Sequence, residues 1–343
     1  MRVGLTYNVK KDCSGEGDEH PPSTVGSDVY AEWDEPETIE AIRAALSRKH
    51  SVTLIEADEH AYDTLRTTPP DIVFNIAEGA FGASREAQMP AIFEMLRIPY
   101  TGSDPLTLAL CLDKGRAKEV LAFNGVPTPS FKVFTYLNGN GNGLRYPMIV
   151  KPLFEGSSKG IFNDSVVNGT KELRSKVQWV LDTYKQPALV ERYLTGREFT
   201  VALVGNGDNI TVLPIVEIKF GSLPAGATPI YSFEAKWVWD RDDKPLDIFE
   251  CPAQLDSTTR AKIEAICIKA YRVLRCRDWC RIDVRLDGEG NPYVIELNPL
   301  PGILPKPESN SCFPKAARAA GMDYDTLMNR VLEVACERYG IAP

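Results

Sequence analysis

The sequence predicts an α/β unit on a parallel sheet at its N-terminal end, followed by mixed α+β segments. Three observations carry that expectation. The first 76 residues read strand, helix, strand; helical and strand periodicities then alternate through the middle of the chain; and a charged hairpin spans 281–298.

Residues 2–9 alternate and are β-rich, and the polar stretch 10–35, with Gly, Pro, Ser and acids, reads as a long loop. Pro36 suits the first turn of a helix whose apolar positions Ile39, Ile42, Ala45 and Leu46 share a face. Residues 51–55 and 71–76 read as buried strands, which makes the opening unit parallel. A helix over 84–96 follows, and Ile98-Pro99-Tyr100-Thr101-Gly102 closes the unit. From Asp104 a helix runs through Asp113, Lys114 and Leu121; 138–143 is a low-complexity turn, and 147–151 is a strand. A helix over 171–184 precedes the strand 188–192, then come strands 198–204 and 211–218 and an irregular stretch, 221–244. Ile263, Ile266, Cys267, Ala270, Val273 and Leu274 lie at helical core spacing before the hairpin, and a helical tail ends the chain. There is no internal repeat.

At 343 residues the chain has room for two or three domains, and 43% hydrophobic with 25% charged residues argues against extensive disorder. A net charge of -8 disfavours a nucleic-acid partner, which needs a basic surface. A local lysine cluster with a divalent cation can still hold a nucleotide. No signal segment is visible and no apolar run approaches the roughly 20 residues that cross a bilayer, so a cytoplasmic protein with no membrane partner is expected. The eight cysteines are scattered, as reduced thiols would be. Cys276 and Cys280 are close together but His20, His50 and His60 are far away, which favours buried thiols over a zinc site.

The chemistry concentrates in the hairpin. Residues two apart on a strand share a face, so Arg281 points with Asp283, and Glu296 with Asn298. The turn at 287–292 brings the two sets opposite each other. Facing carboxylates repel, so an Asp283–Glu296 pair calls for a compensating charge. Oxygen ligands from two acids and an amide favour a hard ion, Mg2+ above all beside nucleotide phosphates. A solvated hairpin face is the plain alternative. What favours the metal is its company: Lys151 ends a strand and leads into Glu155-Gly156-Ser157-Ser158-Lys159-Gly160, whose backbone N–H groups can approach phosphate oxygens closely.

Lys151-Pro152, Glu155-Gly156-Ser157-Ser158, the run Glu191-Arg192-Tyr193-Leu194-Thr195-Gly196-Arg197-Glu198, Glu234-Ala235-Lys236, Arg281-Ile282-Asp283 and Glu296-Leu297-Asn298 occur in the order found in D-alanine–D-alanine ligases. Pro99-Tyr100-Thr101-Gly102-Ser103 and Asp113-Lys114 extend the match, and the set resembles the ATP-grasp superfamily. The resemblance implies a Rossmann-like domain over 1–104 on the substrate side, a central ATP-grasp lid over 105–189 and a catalytic ATP-grasp subdomain over 190–343. It also implies that Lys114, Lys151 and Lys236 hold ATP phosphates under a loop carrying Ser157 and Ser158. Glu191, Arg192, Tyr193 and Leu194 would lie along the adenine and Glu198 on the ribose. Asp283, Glu296 and Asn298 would hold two Mg2+ ions, with Mn2+ as an alternative. Arg281 and the backbone N–H of Gly302, with Ser157, would serve the reacting groups, and Ser311 would receive the second substrate's carboxylate.

The implied reaction activates an acid as an acyl phosphate and couples it to an amine, with small amino-acid or peptide substrates and a homodimer as further implications. Addition of an amino acid to a larger peptide or natural-product acid is the nearest alternative. An inactive ATP-binding relative or a sugar- or nucleotide-binding module would be of another class. On the substrate side the sequence departs from the family. Residues 6–13 lack the glycine-rich loop and its glutamate; Glu32, Asp34 and Glu35 precede the first helix as candidate replacement anchors, although acids at a helix start more often simply favour its dipole. Asn75, Glu78 and Gly79 stand where a His-Gly pair is usual, and Trp237 where tyrosine is common. A buried indole there would favour bulkier partners and a product other than D-alanyl-D-alanine.

Overall fold

The computed structural model describes residues 1–10, 32–137, 141, 143–240 and 246–342. Its first unit holds β1 (Arg2–Tyr7), α1 (Pro36–Ser47), β2 (Ser51–Glu56), α2 (Ala61–Thr67), β3 (Ile72–Asn75) and α3 (Gln88–Leu96). The strands lie in the order β2-β1-β3, all parallel, and a bridge from Val73 to Tyr100 extends the sheet. Pro36 opens α1, and Ile39, Ile42, Ala45 and Leu46 are its buried face. β1 does not alternate: residues 3–6 are all buried, because a central parallel strand is covered on both faces. The expectation that β2 is buried is corrected. It is the sheet edge, with Leu54 41% exposed. Most of the expected 10–35 loop lies outside the described residues.

The helix expected from Asp104 to Leu121 is two, α4 (Pro105–Leu112) and α5 (Lys114–Phe123). Asp113 leaves the helical region at ψ 88° and accepts a hydrogen bond from the Arg116 N–H at 3.0 Å, so it ends one helix and caps the next. Next come β4 (Phe131–Phe134), β5 (Met148–Pro152), β6 (Val166–Val167), α6 (Thr170–Tyr184) and β7 (Ala188–Arg192). These strands form an antiparallel sheet, β4-β7-β5-β6, with Leu173, Val177 and Val180 of α6 packed in its core. The turn at 138–143 lies mostly outside the described residues.

The remaining elements are β8 (Glu198–Val204), β9 (Thr211–Val212), β10 (Val216–Ile218), β11 (Phe249–Glu250), α7 (Ser257–Val273), β12 (Trp279–Leu286), β13 (Pro292–Asn298), α8 (Cys312–Ala319) and α9 (Tyr324–Tyr339). The third sheet runs β11-β10-β8-β12-β13, with β9 paired to β8. The single strand expected over 211–218 is two. Pro214 lies between them and has no N–H for a ladder. On α7, Ile263, Cys267 and Ala270 are buried as expected, whereas Ile266 and Val273 are only partly so.

Two shared cores fix the relative placement of these sheets. One face of the parallel sheet packs with α8 and α9, through Val3, Leu5, Phe313 and Val331. α4 and α5 pack on the large sheet, where Cys111, Ala117 and Leu121 meet Ile282 and Leu297. Cys111, Cys276 and Cys280 are buried and unpaired, in line with the thiol expectation. Among the described residues no helix is long and apolar enough to cross a membrane.

Candidate active site

β5 lies between β7 and β6 and delivers Lys151 into the interior, 3% exposed. Its Nζ lies 2.7 Å from Glu191 Oε1, while Lys118, from α5, lies 2.8 Å from the other oxygen and donates to Thr128 Oγ1 at 2.9 Å. Burial works to raise the Glu191 carboxyl, but Lys118 and Lys151 hold it below its ordinary value. One carboxylate between two lysines leaves a net positive charge at the strand end. This suits an anion.

The chain then enters the loop at 155–160. Ser157 and Ser158 sit at φ 49° and 61°, a left-handed backbone that needs outside support. Gly156 donates its N–H to Glu32 Oε1 at 2.7 Å, and a Cβ there would sit 2.5 Å from that oxygen, so a larger residue would displace the Glu32 carboxylate. Ser158 Oγ donates to the Tyr231 carbonyl at 2.8 Å. Lys236 Nζ reaches Ser157 Oγ at 3.3 Å, and Trp237 Nε1 donates to the Ser157 carbonyl at 3.0 Å. Burial and the nearby Arg281 push the Lys236 ammonium down to about 8.

The hairpin has the expected register, Arg281 opposite Asn298 and Asp283 opposite Glu296, with an irregularity after Asp283. Arg281 contacts both Asp283 oxygens at 3.1 and 3.0 Å, and Asn298 Nδ2 donates to Asp283 Oδ2 at 3.3 Å. Lys114 donates to the Glu155 carbonyl, and its Nζ lies 3.9 Å from Glu296 Oε2. Burial would raise Glu296, but Lys114, Lys151 and Arg281 bring it down to about 2. It is therefore ionised. Two carboxylates and an amide are the all-oxygen donor set that Mg2+ takes, and Asn298, with its N–H turned to Asp283, leaves its amide oxygen for a cation.

Two cavities meet here. The first to consider is lined by Lys151, residues 155–158 and 191–194, Glu198 and Asp283, with Ile149, Ile218 and Ile295 as apolar wall. Glu198 is fixed by Arg285 Nη1 at 2.7 Å, and Arg285 also donates to Tyr193 Oη at 3.0 Å. The other cavity is lined by Asp34, Glu78, Glu86, Lys114 and residues 298–303. Gly156, Ser157, Lys236, Arg281 and Glu296 line both.

Of the expected substrate contacts, Asn75, Trp237 and Ser311 lie outside both cavities. Asn75 is buried and lines neither cavity; its Oδ1 accepts from Thr6 Oγ1 at 2.8 Å and its N–H donates to Thr101 Oγ1, tying strands together. The Trp237 indole is not buried: it is 37% exposed and lies against Lys236, because its N–H follows the loop carbonyl outward. Glu32 lines the second cavity, yet both of its oxygens accept from Arg85 Nη2, at 2.9 and 2.7 Å. Ser311 lines neither cavity; its hydroxyl donates to the Gly302 carbonyl at 3.0 Å and accepts from Leu304 N at 3.2 Å, closing the loop it begins. Arg192 is exposed at the rim.

Lys118, Arg285, Arg85 and Lys159 were not anticipated. Lys118 was within reach, since it follows Lys114 by four residues and so shares its helix face. The others are paired by tertiary contacts. Lys159, for example, lies 2.6 Å from Glu155 and 3.6 Å from Glu32.

Residues 122–333 match the family model described as D-ala D-ala ligase C-terminus. An uncharacterized protein of Sinorhizobium fredii is 36% identical over 316 residues, covering 90% of each chain. The D-alanine–D-alanine ligase of Bordetella pertussis is 34% identical over 291 residues, 82% of this chain and 85% of that one. Among solved structures, the D-alanine–D-alanine ligase of Bacillus anthracis complexed with ATP has a TM-score of 0.72 at 23% identity, with 99% of both chains covered.

Proposed function

The chain belongs to the D-alanine–D-alanine ligase family and is an ATP-dependent, ADP-forming carboxylate–amine ligase, and from that premise we propose how its residues divide the work. ATP lies in the cavity bounded by Lys151 and residues 191–194, with its adenine along 191–194, its ribose at Glu198 and its phosphates toward Lys151, Lys236, Ser157 and Ser158. Lys118 shares Glu191 with Lys151, so Glu191 keeps a counter-charge when Lys151 serves the phosphates. Asp283, Glu296 and Asn298 would hold Mg2+, two ions by family resemblance, and the metal would neutralise charge on the transferring phosphoryl group. The amino-acid substrates occupy the cavity of Glu78 and Gly302.

The observation that carries this reading is the shared wall: Ser157, Lys236, Arg281 and Glu296 face both cavities, so an acid in one abuts the γ-phosphate in the other. The substrate carboxylate oxygen attacks the γ-phosphorus and ADP leaves, giving an acyl phosphate. The amine then attacks the acyl carbon, loses a proton, and inorganic phosphate departs. Arg281 and the Gly302 N–H stabilise the oxyanion formed in that attack. The loops at 155–160 and 221–240 exclude water from the acyl phosphate.

The three-part division 1–104, 105–189 and 190–343 belongs to the same proposal, with α4 and α5 the part of the second segment that shares the third segment's core. A homodimer and a cytoplasmic location follow family resemblance and the unpaired thiols. The preferred product is not D-alanyl-D-alanine, because Asp34, Glu78 and Glu86 give the amino-acid cavity an acidic character beyond one ammonium anchor. The test is product mass and phosphate release with ATP, Mg2+ and pooled D- and L-amino acids and small peptides. D-alanine outcompeting every other substrate in kcat/KM would overturn the specificity claim.

A further inference from the structure

The amino-acid cavity holds more carboxyl groups than a monoamino acid needs. Asp34, Glu78 and Glu86 all line it, and none of the three carboxylates has a hydrogen bond or ion pair among the described residues. The neighbouring cations have other partners: Arg85 has Glu32, Arg281 has Asp283, Lys114 has the Glu155 carbonyl and Glu296, and Lys236 has the Ser157 hydroxyl. Burial pushes Asp34 and Glu86 up to about 7, and burial together with Glu86 and Glu32 pushes Glu78 well above its ordinary range. Such a group is satisfied by protons or by a cationic guest. One α-ammonium would answer one carboxylate and leave two without a counter-charge.

The rest of the cavity suits a long basic side chain. Ile76, Leu112 and Ile303 offer apolar wall for a methylene stem, and Arg281 and Gly302 offer donors for a carboxylate at the phosphate end. The fully buried Trp279 adds an aromatic face to that wall.

We propose that the acid activated here is an amino acid with a basic side chain, whose second cation sits among Asp34, Glu78 and Glu86 while its carboxylate turns to Arg281 and Gly302. This rests on assigning the cavity to the amino-acid substrate. A guest of this kind neutralises the acids without their protonation, and a neutral guest of equal length leaves them crowded.

The test is calorimetric binding of lysine and ornithine, each as both enantiomers, against their ω-N-acetylated derivatives and alanine, with a non-transferable ATP analogue and Mg2+ present. The expected result is a basic amino acid of one hand binding at least tenfold tighter than its acetylated form. Glu78→Gln and Glu86→Gln should erase most of that gap, and their unchanged affinity for the ATP analogue would show that each is folded. A neutral amino acid that binds as tightly, and loses affinity in Glu78→Gln, overturns the inference but leaves the cavity assignment standing. Amino-acid binding that neither variant alters, whatever the ligand's charge, overturns both.

Discussion

Glu296 faces Asp283 across the hairpin and is held ionised by Lys114, Lys151 and Arg281, so its negative charge is available to a cation at any working pH. Glu296→Gln should leave the fold intact and cut turnover by about two orders of magnitude or more, as weakening a catalytic-metal ligand does. Near-normal ligation by the folded variant would remove the metal assignment. Lys151 is 3% exposed, so it is not a surface lysine whose loss goes unnoticed. Lys151→Ala should weaken ATP binding in a calorimetric titration and also cost about 2–3 kcal/mol of stability in denaturant unfolding, the low side of breaking a buried pair because Lys118 still answers Glu191. Unchanged ATP affinity would refute its phosphate role.

The short π-helical turn Ala235–Trp239 sets a pH limit on the nucleotide side. Lys236 drops from an ordinary 10.5 to about 8 through burial and Arg281, so it is charged below about 8 and neutral above. Between those values the unfolded chain holds a proton that the folded chain has released, so stability from this group rises with pH while the phosphate contact proposed for it weakens. KM for ATP should therefore climb above about pH 8, and Lys236→Arg should abolish the climb. A flat profile in the unaltered protein would argue against a phosphate contact. At this scale the sequence was readable where one local rule decides: period-two alternation set the Asp283–Glu296 register, and Pro36 set the start of α1. It was less readable where a single residue breaks a continuous pattern, as Asp113 and Pro214 do. It was opaque for Glu32–Arg85 and Lys118–Glu191, whose partners meet only after separate elements pack, and for Glu198–Arg285, which depends on β8 pairing with β12.

At the scale of the whole molecule, one buried carboxylate ties the first unit to the last helix. Asp278 accepts from Gly102 N at 2.8 Å, Asn206 Nδ2 at 2.8 Å and Arg338 Nη2 at 2.7 Å, and Arg338 also donates to the Tyr100 carbonyl at 2.8 Å. Arg338→Ala leaves Asp278 buried and short of its counter-charge, and should cost about 3 kcal/mol in chemical denaturation. A loss below about 1 kcal/mol would mean that the backbone and Asn206 bonds suffice. The wall common to the two cavities has a consequence of a different kind. Ser157, Lys236, Arg281 and Glu296 line both cavities, so under the proposed assignment nucleotide and amino acid would not bind independently. Whatever factor ATP imposes on the affinity for the acid, the acid must impose on ATP, so the order of addition is a matter of rates and concentrations while the coupling itself is a fixed property of that wall.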